Sequence, residues 1–179
     1  MTGDRQDSNR RFKAIDEAYR KGDMASLRSA LGDPADFPNY LQPVELAVGD
    51  YPLEYAIYWS PYAFVEALLD LGADPNYPNR DGFPCLLAAL STDRKDKNRI
   101  LTLLLDRGAD IQQRGHNDWT PLHYAVNLRD WRAIELLLAR GADPDAKTRI
   151  DDCTTPLEDA EAMGFQNAMD MIRKAKRGT

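Results

Sequence analysis

Apolar positions recur along this chain in short bursts that share one phase. Val65, Leu68 and Leu69 form one burst, Ile100, Leu101, Leu103, Leu104 and Leu105 a second, and Ile134, Leu136, Leu137 and Leu138 a third. Each spacing gives a helix one apolar face. Each burst is followed at once by Gly-Ala-Asp, beginning at Gly72, Gly108 and Gly141, which are 36 and 33 residues apart. A glycine in that place suits the left-handed position that ends a helix. The bursts are therefore predicted to be helices of one repeating unit.

A second helix is predicted upstream of each burst. Thr120-Pro121-Leu122-His123 and Thr155-Pro156-Leu157-Glu158 lie 35 residues apart. A threonine hydroxyl can cap open helix amides, and proline fits the first helical position, where its missing N–H costs nothing. Ala56, Ala89, Ala125 and Ala160 recur three or four residues into these helices, as a close helix crossing requires. Two units lack the threonine: one reads Tyr51-Pro52-Leu53-Glu54, the other Asp81-Gly82-Phe83-Pro84-Cys85.

The run Asn117-Asp118-Trp119-Thr120-Pro121-Leu122-His123-Tyr124-Ala125, followed by Ile134-Glu135-Leu136-Leu137-Leu138 and Gly141-Ala142-Asp143, resembles an ankyrin repeat. The resemblance covers roughly residues 12 to 174 and implies an all-α solenoid of about five helix-turn-helix repeats with irregular end caps. Phe12 to Leu31 reads as the first cap, with helices around Ala14 to Arg20 and through Leu27 and Leu31. Pro156 to about Lys174 reads as the last pair, with Met163, Met169, Met171 and Ile172 inward. Residues 1–11 are expected to be a flexible tail, 12–174 the repeat domain, and 175–179 a flexible basic tail. Pro34 to Ala47 and Ser91 to Asn98 break the period as insertions.

Composition narrows the function. The 179 residues are 43% hydrophobic and 29% charged, an ordinary globular balance. A net charge of −6 disfavours a nucleic acid or an anionic membrane and suits a neutral or basic protein partner. Two cysteines, Cys85 and Cys153, make neither a disulfide framework nor a four-ligand metal site. The polar N-terminus has no secretory apolar core and no apolar run spans a bilayer, so a cytoplasmic, monomeric protein is expected. Neither histidine, His116 or His123, sits in a nucleophile or metal-ligand pattern, so no catalytic site, metal or cofactor is expected.

The resemblance implies binding of another protein through finger-like turns and the exposed side of the first helices. By position these are Asp50, Tyr58 and Trp59; Arg80, Asp81 and Phe83; His116, Asn117, Trp119, Asn127 and Leu128; and Asp151 and Asp152. It also implies a structural hydrogen bond from His123 to the neighbouring turn. Trp59 and Trp119 suit either contact or packing, Trp131 is a further contact candidate, and Tyr51, Tyr55 and Tyr124 suit the core. Three roles fit such a surface: an interaction module in general, a stoichiometric inhibitor such as an immunity or antitoxin protein against a basic toxin, or an adaptor in an assembly.

Overall fold

The computed structural model describes residues 2–42, 50–78, 82–150 and 152–177. Arg80, Asp81 and Asp151 lie outside the described residues, as do 43–47 of the first insertion. Among the described residues there are ten α-helices and no strand. The chain divides into two compact units, residues 1–77 and 78–179.

The first unit holds α1 (Thr2–Lys21), α2 (Met24–Leu31), α3 (Pro52–Trp59) and α4 (Tyr62–Asp70). Its core joins Ile15, Tyr19, Leu27, Leu53, Ile57, Val65 and Leu68, all almost wholly buried. The helix of the first cap runs back to Thr2, through the segment expected to be a tail. Nothing in 2–11 terminates it, and Arg11 fastens it by donating to the carbonyls of Ala30 and Leu31 at the end of α2. The threonine-less α3 still starts at its proline. Glu54, fully buried, accepts from the Asp50 N–H at 2.9 Å and so closes the turn from inside the helix. Asn39 holds the described part of the first insertion: its amide donates to Gly72 O at 2.8 Å and its oxygen accepts from Asp74 N–H at 2.7 Å.

The second unit holds α5 (Cys85–Ser91), α6 (Lys97–Asp106), α7 (Pro121–Asn127), α8 (Trp131–Ala139), α9 (Pro156–Ala162) and α10 (Gln166–Arg177). Helix α7 packs between α5 and α9, and α8 between α6 and α10, so first helices form one row and second helices another. Ala89, Ala125 and Ala160 are fully buried in the first row. Gly108 and Gly141 take φ of +85° and +86°, and in both the following Ala N–H reaches back to the carbonyl of Leu104 or Leu137. Gly72 repeats this closure in the first unit, with Ala73 bonded to Leu68. Helix α10 continues to Arg177, three residues into the expected tail, with Arg173 paired to Glu161 and Lys176 to Asp145. Of the side chains expected inward there, Ile172 is fully buried, while Met163, Met169 and Met171 are half-buried.

Candidate functional site

The turns preceding α5, α7 and α9 form three fingers, and the sequence explains how the middle one is built. Asn117 and Asp118 both take positive φ, of 55° and 57°. Two successive left-handed residues make the tight hairpin turn for which Asn and Asp are suited. Trp119 N–H donates to His116 O at 3.1 Å and Gly115 N–H to Trp119 O at 3.0 Å.

Each finger is tied to the next. His116 N–H donates to Gly82 O at 2.7 Å, which joins the first finger to the second. That approach needs a glycine at 115, since an added Cβ would lie 2.4 Å from Gly82 O. Between the second and third fingers, Asp118 accepts from the Arg149 backbone at 2.6 Å, from the Arg149 guanidinium and from Arg114 at 2.9 Å. The Arg149 bonds hold the Asp118 carboxyl at about 2, against the upward push of burial.

His123 adds a second tie. Its Nδ1 accepts from Thr120, with 2.8 Å to the hydroxyl and 3.3 Å to the backbone nitrogen, so its Nε2 carries the proton and donates to Thr154 O at 3.1 Å. Burial, partly offset by the Thr154 bond, lowers the His123 pKa and keeps the ring neutral. Thr120 and Thr155 each close a capping box, with His123 and Glu158 reaching back from the third helical position, and the Thr155 hydroxyl accepts from Glu158 N–H at 3.2 Å.

These ties gather four rings. Phe83 lies parallel to His116 at 6.0 Å, His116 meets Trp119 edge-on at 6.3 Å, Trp119 lies 6.0 Å from Tyr124, and Tyr124 meets Phe83 edge-on at 6.1 Å. Phe83, Trp119 and Tyr124 are half-buried and His116 is exposed, so the circuit is part packing and part surface. Tyr124, expected in the core, is the member that the positional reading of contact residues left out. Asn117 is exposed at the tip of the second finger, and Asp152 is exposed on the third.

Asn127 and Leu128 lie elsewhere. They sit at the far end of α7 from the fingers, where the chain turns into α8. In the first unit, Asp50 is half-buried with its N–H on Glu54 and its carbonyl accepting from Gln42. Trp59 is 42% exposed at the end of α3, with the Arg20 guanidinium 4.7 Å from its ring centre. Tyr58 is half-buried beside it. Asp16 orients Arg20 through bonds of 2.9 Å and also takes the Tyr55 hydroxyl at 2.6 Å. Burial pushes the Asp16 carboxyl up, but those bonds outweigh it and hold it below the usual range.

The charge is unevenly divided. Residues 1–77 carry 13 acids and 7 Lys or Arg, while 78–179 carry 16 of each, so the whole excess of −6 belongs to the first unit. No group of three or more His, Cys, Asp or Glu is placed to hold a metal among the described residues, and no described helix is long and apolar enough to cross a membrane.

The family described as ankyrin repeats in three copies matches residues 53–148, more than half of the chain. A relative from Arabidopsis thaliana named for E3 ubiquitin-protein ligase activity is 33% identical over 113 residues, covering 62% of this chain and 23% of its own. The transient receptor potential channel pyrexia of Drosophila melanogaster is 35% identical over 118 residues, covering 65% of this chain and 12% of its own. An L-asparaginase of Dirofilaria immitis is 39% identical over 74 residues, covering 41% and 12%. The chain thus spans less than a quarter of the length of each.

Proposed function

We propose, from the premise that this chain belongs to the ankyrin-repeat family and has its all-α repeat fold, that it is a non-catalytic module that binds another protein. Repeats of this family are in general protein-protein interaction modules. In the second unit the contact surface is the fingers with the exposed side of α7, centred on Phe83, His116, Asn117 and Trp119. One observation carries this: four rings in closed contact are held by backbone bonds between fingers, so they stay ordered while part of each ring faces outward. Pre-ordered aromatic surface loses little entropy on association, and such rings supply the larger share of binding energy at interfaces. In the first unit, Trp59 and Tyr58 are the corresponding candidates, in surroundings whose acidic excess suits a basic partner. Arg80, Asp81, Asp151 and Asp152 complete the finger set on sequence position.

Affinity capture of the tagged chain from its native lysate, read by mass spectrometry, tests this. Trp119→Ala is expected to weaken the recovered complex by roughly 30-fold, the equivalent of about 2 kcal/mol. Equal recovery by wild type and by a Trp59→Ala/Trp119→Ala double variant would move the contact away from both surfaces. Stoichiometry by light scattering separates the roles. A monomer that forms a one-to-one complex with one basic protein supports a dedicated inhibitor, of the immunity or antitoxin kind, whereas simultaneous binding of two different proteins supports an adaptor.

A further inference from the structure

The opposite edge of the second unit, where first helices turn into second helices, has a different character. Residues 92–99 and 128–132 carry six Lys or Arg against three Asp, in a chain whose net charge is −6. Two of those three acids are already engaged, Asp96 by Arg94 at 2.8 Å and Asp130 by Lys97 at 2.5 Å. The Lys97–Asp130 pair also makes the edge continuous, because it joins the first residue of α6 to the turn before α8. Arg129 extends it to the turn before α10, donating to Met163 O at 2.6 Å with its guanidinium 5.5 Å from the Phe165 ring. Within this basic stretch stand two large apolar side chains, Leu128 at 41% exposure and Trp131 at 43%. The Arg132 guanidinium lies 5.1 Å from the Trp131 ring centre, so a cation and an aromatic face are offered together.

We infer that this edge is a second binding surface, for an acidic segment of a partner protein that carries an apolar side chain among its carboxylates. The carboxylates would meet Lys95, Arg129 and Arg132, and the apolar side chain would cover Leu128 and Trp131. A polyphosphate chain or an anionic membrane fits less well: the interleaved aspartates break the phosphate track, and the rest of the second unit, with 13 acids against 10 Lys or Arg, opposes an extended polyanion. A short acidic segment senses only the local excess, because charges more than about 8–10 Å away are screened at ordinary salt. The surface stands independently of the finger surface, from which it is separated by the length of α7.

The full chain, labelled with nitrogen-15, is titrated with a short synthetic peptide of glutamates carrying one central leucine. A uridine oligonucleotide and phosphatidylserine vesicles are titrated in parallel. Amide shifts confined to 92–99 and 128–132, weakening as salt is raised, are expected for the peptide. A Lys95→Glu/Arg132→Glu double variant, both sites exposed and remote from the core, is expected to weaken binding at least about tenfold, and Trp131→Ala by a similar factor. Trp119→Ala on the fingers is expected to leave peptide binding unchanged, which separates the fate of this surface from that of the fingers. Peptide shifts elsewhere or none at all, indifference to the charge reversal, or tighter binding of the oligonucleotide or vesicles would overturn the inference.

Discussion

A single methyl group on Gly115 has nowhere to go. Built at its ideal position, the Cβ of Gly115→Ala lies 2.4 Å from Gly82 O, 2.6 Å from Leu87 Cδ2 and 2.7 Å from Pro84 Cδ. Leu87 is completely buried, and Pro84 is fixed at the start of α5, so neither can swing aside. Restoring ordinary contact would require the two fingers to separate by roughly 1 Å. That separation stretches the 2.7 Å bond between His116 N–H and Gly82 O. Overpacking costs about 1–3 kcal/mol and loss of the bond about 1 more, so the variant is expected to lose roughly 2–4 kcal/mol. For a chain of this size that corresponds to a melting temperature lower by roughly 5–15 °C. Gly141→Ala is the comparison, since nothing lies within 4 Å of its added Cβ and only its φ of +86° is strained. Its expected cost is about 1–2 kcal/mol, from backbone alone. Urea unfolding of both variants, with hydrogen exchange at the His116 amide, measures the difference. A Gly115→Ala protein within about 0.5 kcal/mol of wild type, with His116 exchange unchanged, would refute the finger packing described here.

Three other outcomes are expected. His123 is neutral when folded and its pKa is lowered, so its contribution is complete above the unfolded value near 6.5 and is lost as pH falls from there through the lowered folded value. Stability by urea titration should therefore fall below about pH 6.5 with a slope of at most about 1.4 kcal/mol per pH unit, and His123→Gln should flatten this part of the profile. Asp118, depressed to about 2, contributes above pH 4 and loses that contribution as pH falls towards 2. Asp118→Asn should cost about 1 kcal/mol at neutral pH, read by thermal melting, and less at pH 2. Asn39→Ala removes both bonds to the turn after α4 and should speed proteolysis within residues 33–42, with a stability loss of about 1–2 kcal/mol by urea titration.

The repeat itself was plain in the sequence because its punctuation is local. Gly72, Gly108 and Gly141, and the Thr-Pro pairs at 120 and 155, act on residues within one turn of themselves, so each could be read without a partner. What escaped depends on residues about one repeat apart. Nothing near Asp118 reveals that Arg149 will bond it, and nothing near Gly115 reveals the carbonyl of Gly82 above it. Tyr124 looked like a core residue because its helix is mostly core, yet its ring borders the fingers. Sequence position alone places Leu128 in a set shared by the turn tips and the exposed side of the first helices, and only the extent of α7 shows that seven residues separate it from the second finger. The extent of α1 was missed for a related reason, since Arg11 is anchored by carbonyls at Ala30 and Leu31.

The ties between fingers also decide where this chain tolerates change of length. On the finger side the first two fingers of the second unit are locked backbone to backbone, at Gly82 with His116, and the third is held by the Arg149 backbone N–H on the Asp118 carboxylate. One added residue there would shift the hydrogen-bonding register of two repeats at once. The stretch 92–96 on the other edge already holds extra residues, and beside it the start of α6 is joined to the following turn through the side chains of Lys97 and Asp130. Side chains follow a displaced loop where backbone bonds cannot. A reporter peptide or a grafted loop can therefore enter at 92–96 and leave the repeats in step, whereas the same insertion at 115–119 would uncouple them.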